Sequence, residues 1–149
     1  MSLQTRYDPQ NIFARIIRGD ARCYTVYEDD EVLSFLDLYP QATGHTLVIP
    51  KRSAAVNLLD VDTAALCRVM TVAQQLARVI VDELQPDGVQ LAQFSGAAAG
   101  QTVFHIHVHL VPRYVGQRMG IHAAREADHG ELAELQARLV RRLAASSLP

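Results

Sequence analysis

A chain of 149 residues with 49% apolar content has the size and composition of one domain, expected over 1–149, around one core. Its 14 Lys+Arg against 16 Asp+Glu give no basic field, so nucleic acid is not expected as the main partner. Cys23 and Cys67 stand far apart with no Cys-x-x-Cys, the N-terminus lacks an apolar signal core, and no uninterrupted apolar run approaches the ~20 residues that span a bilayer, so a reduced cytoplasmic setting without a membrane is expected.

Asp8-Pro9 can open a helix, with Asp8 as N-cap and Pro9 in the first helical position. Ile12, Phe13, Ile16 and Ile17 follow at helical spacing, and Gly19 ends the run. Tyr24–Tyr27 and Val32–Leu36 read as two strands around an acidic turn, Glu28 to Glu31, expected to be a solvated hairpin tip. Asp37 ends the second strand, where a carboxylate serves as a cap or as a ligand group. Thr46–Pro50 is a short buried strand that stops at proline, with His45 just before it. Asp60 to Leu84 is a long amphipathic helix capped by Asp60 or Asp62. Its stripe of Leu66, Val69, Met70, Ala73, Leu76, Ala77, Ile80 and Leu84 is core. Gly88–Phe94 is a further strand, leading into the small-residue loop Gly96–Gly100. After the polar stretch that begins at Arg113-Tyr114, Leu132, Leu135, Leu139 and Leu143 mark a last helix, about 130–145, that docks on the sheet or on a second subunit.

The most informative stretch runs from Gln101 to Arg113. From Val103 to Val111 the alternation is strict: Phe104, Ile106, Val108 and Leu110 share one parity, and His105, His107 and His109 share the other. Strand side chains alternate faces, so this reads as a strand with an apolar face and an imidazole face, the rings about 6.6 Å apart along the chain. Three imidazoles in a row allow three readings: a chelated metal, residues without chemistry, or a nucleophile with supporting groups. Neither cysteine lies near this strand in sequence. His122 and His129 fall outside any motif and read as surface residues.

The run His105-Ile106-His107-Val108-His109-Leu110-Val111 resembles the histidine triad (HIT) family of nucleotide hydrolases and transferases, Hint-like branch. Gly96–Thr102, Pro112-Arg113, Asn11–Ile17 and Phe35–Lys51 extend the resemblance over about residues 11–113. It implies an α+β fold: a twisted, mainly antiparallel sheet of about five strands with two main helices, and sheets joined in a homodimer. It also implies that His107 is the nucleophile, with His109, His105 and His45 around it. Ile12, Phe13 and Ile16 would line a purine pocket, an apolar slot suited to a flat base. Phe35 and Leu38 would lie beside the base, and Asp37 would hold the paired ribose hydroxyls, which a carboxylate accepts side by side. Gln101 and Thr102 would bond the phosphate or leaving group, and Gly96 and Gly100 would let backbone amides approach an anion.

The activity so implied is attack on the α-phosphate of a purine nucleoside phosphoramidate or similar AMP-X or GMP-X substrate, through a nucleotidyl-histidine. The alternative enzyme reading is a dinucleoside polyphosphate hydrolase. Non-enzyme alternatives are a nucleotide-binding scaffold and a zinc-binding structural domain. No metal is required, although a divalent cation often accompanies polyphosphate substrates. Two departures stand out: Ser53 replaces a histidine carried by many relatives, and Phe94-Ser95 replaces an Asn-containing turn that contacts substrate.

Overall fold

The computed structural model describes residues 3–118 and 125–146; His122 lies outside them. Five strands form one antiparallel sheet in the order β1-β2-β3-β5-β4. They are β1 (Thr25–Glu28), β2 (Val32–Leu36), β3 (Thr46–Pro50), β4 (Gly88–Ala92) and β5 (Val108–Arg113). Three helices accompany them: α1 (Ile12–Arg18), α2 (Thr63–Leu84) and α3 (His129–Ala144). The α+β class and the five-strand antiparallel sheet are as the sequence implies.

Alternation along the central strands sorts their side chains between two buried layers. Val32, Leu36, Val48, Val108 and Leu110 face α2 and α3, and join Val69, Val72, Ala73, Leu76, Ile80, Leu132, Leu135 and Leu139 in the main core. Leu33, Phe35, Leu47 and Ile49 face the other way and pack on Phe13 of α1. Both faces of β2 and β3 are therefore covered, which is why these strands read as continuous apolar runs rather than half-polar ones. The register sets Phe35 opposite Leu47 and Leu47 opposite His109, so one row on the α1 side ends in a histidine.

Helix α2 has 22 residues and is long and apolar enough to cross a membrane by length and composition. Here its apolar stripe packs on the sheet. The stripe is rotated from the expected one: Val72 and Val79 are buried, while Met70 is exposed. Asp62 caps the helix by accepting from Ala65 N at 2.9 Å. Asp60 instead accepts from the amides of Val56 and Asn57, shaping the preceding loop. Helix α3 lies against α2 and β1 of its own chain. Arg138 and Arg142 both donate to Glu83 at its far end.

Three local expectations change. Helix α1 begins at Ile12, capped by the Asn11 side chain, which accepts from Ala14 N at 2.9 Å. Asp8 instead closes the turn before it, accepting from Gln10 N with its carboxylate and from Asn11 N with its carbonyl. The acidic turn is not merely solvated: Asp29 accepts from Tyr27, from the amides of Glu31 and Val32, and from Arg68 of α2. Desolvation works against its charge, but those donors outweigh it and hold the carboxyl at about 2.

The third change concerns the histidine run. Strand β5 starts only at Val108, and the β3 ladder ends at the pair Val48–Val108. From Val103 to His107 the backbone finds other partners. Gln101 Nε2 donates to the Val103 carbonyl, Ile106 N donates to Ala55 O, and the His107 ring donates to the His105 carbonyl. With these groups engaged, no ladder to a neighbouring strand forms here.

Candidate active site

On the α1 side of the sheet lies a cleft of about 250 Å³. Ile12, Phe13 and Ile16 come from α1, Phe35 from β2, Asp37 and Leu38 from the turn after it, Leu47 from β3, and His109 from β5. Thr102, Val103 and His107 close the end before β5. Nine residues picked out in the sequence thus share one cavity: Ile12, Phe13, Ile16, Phe35, Asp37, Leu38, Thr102, His107 and His109. Phe13 stands edge-on to His107, with centroids 4.9 Å apart, and His107 lies 4.8 Å from His109. Arg22, Cys23 and Tyr39 also line the cleft and were not anticipated. Burial pushes the Cys23 thiol up, so it stays protonated and acts as a weakly polar wall.

His105 and His45 sit behind this surface. His105 is buried, with Nε2 at 2.9 Å from the Pro50 carbonyl and Nδ1 at 2.7 Å from the Tyr7 hydroxyl. His45 is also buried, with Nε2 at 2.9 Å from His109 Nδ1.

Fixed donors and acceptors decide the tautomer of each ring, because a carbonyl only accepts and an amide N–H only donates. The His105 carbonyl takes a hydrogen bond from His107 Nδ1 at 2.8 Å, so that nitrogen carries the proton and Nε2 keeps its lone pair. The Gln41 amide donates to His45 Nδ1 at 3.0 Å, so His45 carries its proton on Nε2 and donates it to His109 Nδ1. His109 is then left with its own proton on Nε2. His107, just before β5, and His109 on it thus bring a lone-pair imidazole and a proton-donor imidazole into contact, which suits nucleophilic attack coupled to protonation of a leaving group.

Gln101 does not serve as expected. It is buried, its amide donates to the carbonyls of Val56 and Val103, and its Oε1 accepts from Gly96 N at 2.8 Å. It braces the loop from within. The Gly96 amide is thereby engaged, and Gly100 N donates to Ala97 O, so these amides do not form the anion cradle expected of them. The two glycines instead supply φ of 92° and 104°, a left-handed conformation that side-chain-bearing residues rarely take. Ser53 accepts from Ala55 N, a turn contact. Phe94 lies 5.2 Å from the His109 ring, on which it leans as an apolar wall.

Asp37, His45 and His109 also bring three potential metal ligand atoms within 4.8 Å of one another. In this arrangement His45 Nε2 bears a proton, fixed there by the Gln41 amide on the opposite nitrogen. A metal at that point would need the proton removed and the amide turned away. As placed, His45 and His109 form a proton relay.

Burial lowers the basicity of the His105 ring, with the Pro50 carbonyl opposing. The folded protein therefore binds this proton less readily than the unfolded chain. At pH above the ordinary value of about 6.5 both states are neutral and the full stability is present. As pH falls below that value the unfolded chain takes up the proton first, and stability is lost. Thermal unfolding followed from pH 7.5 to 5 should show a falling Tm that His105→Asn flattens; an unchanged slope in the variant contradicts the assignment.

Comparisons with known proteins give the family and the fold. The HIT domain family matches over residues 18–116. The solved structure of a HIT-like protein involved in cell-cycle regulation from Bartonella henselae superposes with a TM-score of 0.87 at 40% identity, covering 93% of this chain and 99% of that one. A zinc-bound histidine triad family protein from Mycobacterium smegmatis gives 0.80 at 38% identity, with 91% and 94% covered. A hypothetical histidine triad nucleotide-binding protein from Sulfolobus tokodaii strain7 gives 0.81 at 32% identity, with 89% and 91% covered. With the triad, its bracing carbonyl and the apolar cleft in place, this chain belongs to the HIT family.

Proposed function

We propose that the protein is a nucleotide hydrolase or nucleotidyl transferase acting on the α-phosphate of purine nucleoside phosphoramidates or similar AMP-X and GMP-X substrates. The observation that carries this reading is the hydrogen bond from His107 Nδ1 to the His105 carbonyl, beside a cleft that also holds Asp37. The nucleotide-binding description of the Sulfolobus tokodaii relative supports the ligand class.

In the first step the His107 Nε2 lone pair forms a bond to phosphorus and the P–X bond breaks. The departing X takes the proton from His109 Nε2, and the negative charge left on that ring is matched by the positive charge that the His107 ring gains on forming the N–P bond. In the second step water attacks the phosphorus, the N–P bond breaks, and the proton lost by water returns to His109. The products are HX and the nucleoside monophosphate, and two displacements replace one slow one. The scheme routes no step through a metal. The base would lie between Ile12, Phe13, Ile16 and Phe35, and the ribose hydroxyls would bond Asp37.

Asp37 already accepts from Tyr39 N at 2.8 Å through Oδ1, which orients the carboxylate at the cleft edge. Asp37→Ala is expected to weaken AMP binding by roughly tenfold, the scale of one or two charge-assisted hydrogen bonds. The loss should be much smaller for a 2′,3′-dideoxy analogue. Calorimetric titration giving unchanged AMP affinity would remove the ribose contact.

We also infer a homodimer joined along β4. This strand pairs only with β5 among the described residues, and it ends the sheet with Leu91 exposed. An open edge of this kind is a template for a second copy. Sedimentation of the protein at micromolar concentration should give twice the chain mass, and a monomer mass would contradict it.

A further inference from the structure

The segment before α1 reaches the triad from behind. Tyr7 is half-buried, and its hydroxyl meets His105 Nδ1 at 2.7 Å across 98 residues of sequence, with the rings 5.6 Å apart. Upstream, the Leu3 carbonyl accepts from Asn57 Nδ2 at 3.1 Å, and the Leu3 side chain lies against Gly96. Asn57 is buried and adjoins Val56, whose carbonyl takes the Gln101 amide. The N-terminal segment is thus fastened both to the loop that precedes the triad and to the first histidine of the triad itself.

The direction of the Tyr7 hydrogen bond follows from the other side of the ring. The Pro50 carbonyl at His105 Nε2 can only accept, so Nε2 holds the proton and Nδ1 offers a lone pair. Tyr7 therefore donates. The ring of His105 is held at both nitrogens, by β3 on one side and by the N-terminal segment on the other. The backbone carbonyl of that same residue takes the His107 proton.

We propose that Tyr7 is a positioning residue for the reaction: by clamping the His105 ring it fixes the His105 carbonyl, and that carbonyl keeps the His107 proton on Nδ1 and its lone pair on Nε2. The proposal rests on the reading of His107 as nucleophile. Tyr7 lies in the N-terminal segment, before residues 18–116 where the family matches. Tyr7 touches no reacting atom; its effect passes through two hydrogen bonds and one peptide unit.

The test is Tyr7→Phe, which keeps the ring and removes only the hydroxyl. Turnover of adenosine phosphoramidate is expected to lose about tenfold in kcat, the equivalent of one well-placed hydrogen bond, with KM within about twofold. In long-range ¹H–¹⁵N spectra of the intact protein, the His105 Nδ1 resonance should move toward that of an unbonded lone-pair nitrogen. The His107 signals should change from a single Nδ1–H tautomer to a mixture. The spectra need no turnover, so they test the clamp even if the substrate assignment fails. Wild-type kcat in the variant overturns the proposal, and so does a fall in kcat with unchanged His105 and His107 nitrogen resonances.

Discussion

Replacing His107 with alanine is expected to remove adenosine phosphoramidate turnover, by roughly 10⁴-fold or more, while the protein stays folded. The ring is the lone-pair member of the pair in the cleft, and among the described residues there nothing else offers an imidazole in that state. Its neighbours reinforce the assignment: Phe13 meets it edge-on and the His105 carbonyl fixes its tautomer. Truncation leaves that buried carbonyl without its partner, at a cost of about 1–3 kcal/mol. Circular dichroism and a modestly lowered Tm should report this, separately from the loss of chemistry. Retention of most activity in the folded variant would remove His107 from the nucleophile role.

His109→Ala should have the second largest effect, and a more selective one. The Gln41–His45–His109 relay leaves the His109 proton on Nε2, which the proposed mechanism gives to the leaving group. Removing a positioned general acid costs typically 10²- to 10⁴-fold. The fall should depend on X. An amine must gain a proton as it departs and should suffer the full loss, whereas a nitrophenolate leaves without one and should suffer far less. Comparison of kcat/KM across a series of leaving groups measures this. Equal losses for all of them would mean that His109 holds the phosphate rather than supplying a proton.

The family resemblance named most of this site, while side-chain parity by itself singled out only the three histidines of the run. Phe35 and Asp37 share a face of β2 and its extension, His45 and Leu47 share a face of β3 and its lead-in, and His107 and His109 share one parity. The antiparallel register sets Phe35, Leu47 and His109 in one row, and Asp37, His45 and His107 lie just beyond the ends of those strands. The use of Ile12, Phe13 and Ile16 as a base pocket came from the resemblance, while their shared face on α1 was legible from helical spacing. The strand assigned to Val103–His107 was not, since alternation signals burial on two sides but not which group takes the backbone hydrogen bonds. Here side chains took them, His107 and Gln101 among them.

Gln101 illustrates the same limit. An amide side chain just after the Gly96–Gly100 loop can serve as a phosphate ligand or as a loop brace, and only the placement of Val56 and Gly96 decides. The Gln41 contribution leaves no sequence signal, because a backbone amide is common to every residue but proline. Tyr7 was invisible for a different reason: its partner is 98 positions away and no periodicity connects them.

The covalent step is the centre of the account, and mass spectrometry of protein quenched in mild base during turnover addresses it directly. The mechanism requires a nucleoside monophosphate adduct on the peptide that carries His107, on the ring nitrogen opposite the one bonded to the His105 carbonyl, accumulating further in His109→Ala if the second step is slowed. Turnover at full rate with no adduct, or with the adduct on another residue, would contradict it.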